Sequence, residues 1–372
     1  MKKSTWRQHH KWLGIVLAPF IILFCFSGIV LNHAGLLADV NISRKLLPAE
    51  YRYDRWNKGL LRGTMKWNCK TLIYGNSGIW LKEESNGTIR DFNRGLPNGA
   101  DHRSIRGVVS MPNGFLYAIS QYNLYCLNEC GAWMRIDLPN DEHERLSDIT
   151  QKNDSLIITG RSHIYLSHVP YHTFQKITLK KGGNDKGKVS LFRTTWLLHG
   201  GGLFGIVGKL FVDLVGLILL FLSISGIYYS FAPRPHSSFG ARIKSWLIKW
   251  HNQIGWASIF FLLLLTITGW MLRPPALIAI ASAKIPPIPF SAMDSDNPWN
   301  DCLRSLRYDD DKEDWLLCTS DGFYSLRHLS DTPQKEQVQP PVSVMGINVE
   351  QKDSRHKWLI GSFSGLYVWD RP

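Results

Sequence analysis

Two of the three uncharged stretches long enough to cross a bilayer open on the same phrase, and that phrase begins with histidine. His10, Lys11, Trp12, Leu13 and Gly14 lead into the first; His251, Asn252, Gln253, Ile254 and Gly255 lead into the last. Each His is followed by Gly four residues on and again eighteen residues on, at Gly28 and Gly269, and a small polar residue, Ser27 or Thr268, precedes that second Gly. The uncharged stretches are Trp12–Asn32, Leu214–Pro233 and Trp250–Leu272. A hydrocarbon core is crossed by about 20 helical residues, so the sequence predicts three transmembrane helices. No small-residue cleavage site follows the first, and it outruns the apolar core of a secretory signal; it reads as a retained anchor.

Basic residues set the expected orientation. Lys2, Lys3, Arg7 and Lys11 precede the first span, and Arg234, Arg242, Lys244 and Lys249 lie between the second and third, with no acid in either segment. Loops rich in Lys and Arg stay in the cytoplasm. The expected order is therefore a cytoplasmic N-terminus (1–11), a first span (12–32), an exported segment (33–195), a second span (203–233), a cytoplasmic loop (234–249), a third span (250–272) and a second exported segment (273–372). The net charge of +13 needs no nucleic acid, since eight positive charges sit in those two short segments. Of the six cysteines, Cys25 falls within the first span, while Cys69, Cys126, Cys130, Cys302 and Cys318 fall in exported segments, where disulfides persist. Cys126 and Cys130 read as a small bridge or two buried thiols.

A second repeat runs through the exported segments. Apolar strand, small-polar turn and aromatic strand recur from Leu72, Leu116, Leu156, Trp315 and Trp358. That is the grammar of β-hairpins. A period of about 40–45 residues in β sequence points to propeller blades, with a β-sandwich as the alternative. The expected fold is an α+β membrane protein: three transmembrane helices and a discontinuous periplasmic β-propeller-like domain, interrupted by the second and third spans. Its last strand is expected to close the ring with residues from about 45–66.

Four histidines flank the spans. His10 and His251 stand at the cytoplasmic ends of the first and third, His33 follows the first on the outside, and His199 precedes the second in a stretch continuing Gly200, Gly201 and Gly202. An ionisable group near hydrocarbon is costly unless partnered. A b-type haem between two neutral imidazoles supplies such a partner; the alternative is a ring lodged among lipid headgroups. The repeat favours a haem shared by His10 and His251 over one that uses His9. No repeat supports the pair His33 and His199. Gly14, Gly28, Gly226, Gly255 and Gly269 allow close approach to a macrocycle, as they also allow plain helix packing. Lys209 and Asp213 lie one helical turn apart and read as a pair, or Lys209 and Arg273 as partners of haem propionates. No Cys-x-x-Cys-His occurs, which argues against a covalent haem. His163, His168, His172, His328 and His356 read as solvated or packed residues of the β domain.

These helices resemble the PepSY-associated transmembrane family. The resemblance rests on His10 to Gly14 with Ser27, Gly28, Asn32 and His33; on Leu198, His199 and Gly200 with Phe204, Gly205, Gly208 and Lys209; and on His251 to Gly255 with Thr268 and Gly269. It implies a bacterial inner-membrane protein tied to iron uptake, in the manner of haem-containing reductases that release iron from ferric siderophores in the periplasm. It implies b-type haem, one or two, at His10, His33, His199 and His251. The chain departs from the family pattern in showing no fourth span, since 274–287 is short, holds Lys284 and is bounded by prolines. It also carries blade-like repeats in place of a PepSY domain. The expected function is electron transfer from membrane quinol or a redox partner protein, because the cytoplasmic segments are too short for a flavin or nicotinamide domain. A ferric chelate is the expected acceptor. The alternative is a membrane-anchored β-propeller that binds or senses without redox activity.

Overall fold

The computed structural model describes residues 3–372 except 41–42, 47, 50–60, 140–143, 183–186, 233–236 and 344–345. The chain divides into two units: Met1–Leu37 with Gly187–Asp294, and Ala38–Lys186 with Ser295–Pro372.

The first unit is helical. Lys3–Asn32, Gly205–Phe231 and Ser238–Met271 contain the described stretches long and apolar enough to span a membrane. All three outrun the uncharged stretches that announce them. The third starts at Ser238, so much of the basic segment expected as a loop over 234–249 is helix; the Ser237 hydroxyl caps it by accepting from the Gly240 N–H. Large apolar side chains such as Phe24, Phe26, Phe260 and Leu263 face outward, as a lipid-facing surface requires. The middle helix packs against both others. A short helix, Leu191–His199, is capped by Ser190, whose hydroxyl accepts from the Arg193 N–H at 3.2 Å, and it packs on the third span. Where the chain enters and leaves this unit it forms a two-stranded ribbon, Val189 opposite Ile285 and Ser190 opposite Lys284.

The second unit is a series of antiparallel meanders, each strand paired with its neighbour in sequence. The first sheet is Leu61–Trp67, Lys70–Gly75, Gly78–Glu83 and Ile89–Asp91; the second is Gly107–Ser110, Leu116–Ile119, Leu124–Leu127 and Trp133–Ile136. The third is Leu146–Lys152, Ser155–Gly160, Ile164–His168 and Gln175–Ile177; the fourth is Leu303–Asp309, Asp314–Thr319, Gly322–Leu326 and Gln334–Lys335. The fifth has three described strands, Ile347–Lys352, Trp358–Ser362 and Gly365–Trp369. The five hairpins read from sequence are the second and third strands of these five sheets. Gly78 and Gly322 show why such turns need glycine. At φ of 117° and 119°, a Cβ would run into the side chains of Asn93 and Gln339, which instead accept from the N–H of Ile79 and Phe323.

The sheets pack face to face in sequence order, and each interface is a separate apolar core. Leu72 and Ile79 of the first sheet meet Leu116 and Trp133 of the second; Tyr117 and Ile119 meet Leu156 and Tyr165 of the third. Ile157 and Ile164 meet Leu306 and Leu317 of the fourth, and Leu316 and Phe323 meet Trp358 and Ile360 of the fifth. Burial on both faces accounts for the near-continuous apolar runs in the inner strands. The third and fourth sheets pack as the others do, although the membrane unit lies between them in sequence. No described core joins the fifth sheet to the first, so a ring is not seen. Of the ring-closing strand expected from about 45–66, Leu61–Trp67 pairs with Lys70–Gly75 as the edge strand of the first sheet, and 47 and 50–60 lie outside the described residues. All six cysteines are free thiols, with Cys126 half-buried and Cys130 exposed, so neither expectation for that pair holds.

Candidate functional site

His10 lies on the first spanning helix and His251 on the third, and their rings meet. The centroids are 6.2 Å apart at an interplanar angle of 66°. Imidazoles at this separation would have room to bind one metal ion between them, at metal–nitrogen bonds of about 2 Å. The helix between them completes the arrangement. Ser225 Oγ stands 2.9 Å from His251 Nδ1 and donates its single proton to the Phe221 carbonyl at 2.6 Å. With its proton on that carbonyl the hydroxyl accepts from His251, the arrangement that carries the ring proton on Nδ1 and leaves the Nε2 lone pair for a ligand. This is how a ligating imidazole is held by its outer partner. Gly226 provides the room, since a Cβ there would sit 3.4 Å from His251 Cε1.

The same device recurs at the other end of the bundle. His199 Nδ1 lies 3.1 Å from Thr268 Oγ1, which donates to the Leu264 carbonyl at 2.8 Å. His199 Nε2 is again the free nitrogen, and a Cβ on Gly269 would come within 2.9 Å of its Cε1. Burial holds the His199 imidazole below its ordinary pKa, and hence neutral. His33, the expected partner of His199, is engaged elsewhere. Its Nε2 is 2.5 Å from the buried carboxylate of Asp213, which also accepts from Asn32 Nδ2 at 3.0 Å. Among the described residues no ring contact joins His33 to His199. The donor set at His10 and His251 fits a bis-imidazole haem; that at His33 and His199, with one Nε2 bound to a carboxylate, does not.

Asp213 thus serves His33 rather than Lys209, whose ammonium points at the Asn32 carbonyl 3.5 Å away. Arg273 is exposed, as is His9. In the β unit, His163 is bound to Glu144 at 2.8 Å and His168 to Ser155 at 3.0 Å. No group of three or more metal-binding side chains occurs among the described residues. Sequence reasoning missed Ser225 and the role of Asp213. The signal for Ser225 was present: Ser225–Gly226 is a third copy of the small-polar–Gly pair seen at Ser27–Gly28 and Thr268–Gly269. Two copies cradle a histidine, and Gly28 has open space around it.

These features define a membrane protein whose three spans carry paired polar sites and whose chain also builds a stack of antiparallel sheets. It belongs to the PepSY-associated TM region family, whose model matches residues 140–338. The matched segment holds His199 and His251 but not the first span, so His10 rests on the internal repeat and its ring contact with His251. Among solved structures, the extracellular domain of a protein described as a one-component system of B. thetaiotaomicron aligns at 10% identity with a TM-score of 0.42, over 83% of this chain and 27% of that one. A hybrid two-component system extracellular domain from the same organism gives 9%, 0.43, 83% and 26%. PorZ, a surface component of the type-IX secretion system of Porphyromonas gingivalis, gives 10%, 0.26, 31% and 16%. The chain spans at most about a quarter of these structures. No curated protein matches it.

Proposed function

We propose that this protein is a b-type haem electron carrier of the bacterial inner membrane, with its N-terminus cytoplasmic and its sheets periplasmic as blades of a β-propeller. Electrons would come from quinol or a partner protein and pass to a periplasmic acceptor such as a ferric siderophore, as an iron-acquisition reductase. One observation carries the reading: the His10 and His251 rings come together at 6.2 Å from separate spans, with Ser225 Oγ 2.9 Å from Nδ1 of the second. When bound, the haem supplies a one-electron couple. The chain's part is to bring the two imidazoles together from separate helices and to leave space beside His251 at Gly226. The proposal places one haem, at His10 and His251. His33, with Asp213, and His199, with Thr268, are assigned no iron.

The test is a reduced-minus-oxidised spectrum of the purified protein, with haem quantified as the pyridine haemochrome. The reading expects one haem per chain, lost in both His10→Ala and His251→Ala. A wild type without haem, or variants that keep it, would reject the reading and leave a membrane-anchored β domain that binds or senses.

A further inference from the structure

The sheets present one register position where arginine recurs. Where a later sheet begins, an apolar residue donates its N–H back toward the preceding one: Ile105, two residues before the second sheet's first strand, to the Gly75 carbonyl, Leu146 to Gln121 and Leu303 to Arg161, each at 2.9 Å. The next residue is Arg106, just before the second sheet, and Arg304 within the fourth, and Arg62 follows Leu61 in the first at a register shift like that at Arg304. Two more arginines join them. Arg145 lies just before the third sheet, and the Arg161 N–H donates to its carbonyl at 2.9 Å. First strands of neighbouring sheets lie side by side, so the charges of Arg62, Arg145 and Arg161 act on Arg106, and that of Arg161 also on Arg304.

Their partners are almost all neutral. Arg62 donates to Asn76, Arg106 to Gln121, Arg145 to the Tyr122 hydroxyl, and Arg304 to the carbonyls of Asp301 and Leu303. Arg161 has a carboxylate, Asp301, at 3.2 Å. Arg106 Nε is buried with no hydrogen-bond partner. Burial, and then the charges of Arg62, Arg161 and Arg145, push the Arg106 guanidinium down to about 10; burial, and then Arg161, do the same to Arg304. Like charges gathered with unused donors cost free energy that a bound anion recovers, and guanidinium groups pair with oxyanions two hydrogen bonds at a time. Arg62 and Arg145 are exposed, which leaves the cluster open to solvent.

We infer that Arg62, Arg106, Arg145, Arg161 and Arg304 form a binding site for a small, multiply charged oxyanion. The inference makes no use of haem and stands apart from the redox reading.

The experiment is calorimetric titration of the full-length protein in detergent at constant ionic strength, with citrate, pyrophosphate and, as a control, acetate. Saturable binding of citrate or pyrophosphate but not acetate is expected, and the tighter of the two identifies carboxylate or phosphate chemistry. Arg106→Gln combined with Arg304→Gln should weaken binding by about tenfold or more, as loss of charge-assisted hydrogen bonds does. Arg135→Gln, at an exposed residue paired with Asp137, should leave it unchanged. Arg62→Gln with Arg145→Gln, at exposed positions, serves the same test if the first pair does not fold. No saturable binding by the wild type, equal response to acetate, or undiminished binding by the folded variants would overturn the inference.

Discussion

Ser225→Ala separates a haem site built by three helices from two histidines that happen to meet. In the wild type the Ser225 hydroxyl accepts from His251 Nδ1 at 2.9 Å because its own proton goes to the Phe221 carbonyl. Alanine removes that acceptor and leaves the His251 ring only its backbone contact at Leu222. The ring is then free to rotate or to carry its proton on Nε2, the nitrogen that must face iron. Removing the outer partner of a ligating histidine lowers metal affinity by about 10–100-fold, which is about 1.4–2.7 kcal/mol. The assay is the rate of haem loss to excess apomyoglobin from detergent-solubilised protein, followed in the Soret band. Ser225→Ala should lose haem on the order of tenfold faster or more, with Thr268→Ala close to wild type, since Thr268 serves His199 rather than His251. Equal rates for Ser225→Ala and wild type, or equal acceleration by Thr268→Ala, would refute the tautomer argument.

The β unit offers further tests. Arg371, only 5% exposed in its side chain, binds Asp314 through two contacts at 2.5 and 2.6 Å, Glu336 at 2.7 Å and Asp309 at 3.2 Å. Arg371→Ala should cost about 3 kcal/mol by taking the shared cation from the part-buried Asp314 and Glu336, read as a fall of roughly 6 °C in thermal unfolding; a fall under about 2 °C contradicts this. Glu350 is half-buried, and the loss of water around its carboxyl pushes it up from an ordinary 4.5 to about 7 despite Arg307. The folded state therefore holds this proton more tightly than the unfolded chain, so stability falls as pH rises from 4.5 to about 7, and Glu350→Gln should flatten that fall in urea titrations across the range. Asp309 has the opposite sign: burial raises its pKa, but hydrogen bonds from Lys352 and Trp358 bring it down to about 2, so its stabilisation is lost as pH drops below its ordinary 3.8. Gly322→Ala, at φ 119° and with its Cβ forced onto Gln339, should destabilise by about 1–3 kcal/mol in the same assay, and a neutral result would show that the turn relaxes.

Much of the architecture was legible along the chain because it depends on spacing within one segment. A run without charge must lie in lipid or in a core, and its length announces a span whatever it packs against. The hairpins that start near Leu72, Leu116, Leu156, Trp315 and Trp358 were equally legible, since alternating apolar strands and tight turns are local chemistry. So was the meeting of His10 with His251, through the duplicated phrase that carries both.

Partnership across elements was decided by tertiary packing. Asp213 lies one turn from Lys209, and nothing in that spacing reveals that it faces His33 on another helix. His33 and His199 look like a second pair, yet one turns to Asp213 and the other to Thr268. The arginine cluster is scattered over some 240 positions between Arg62 and Arg304 and becomes one feature only when first strands lie side by side. The sequence by itself determined which segments become helices and hairpins, because those choices rest on hydrophobic period and turn residues within a few positions. Only the fold decided which side chains meet, because the rotation of each helix and the stacking of each sheet are set by many packing contacts distant in the chain.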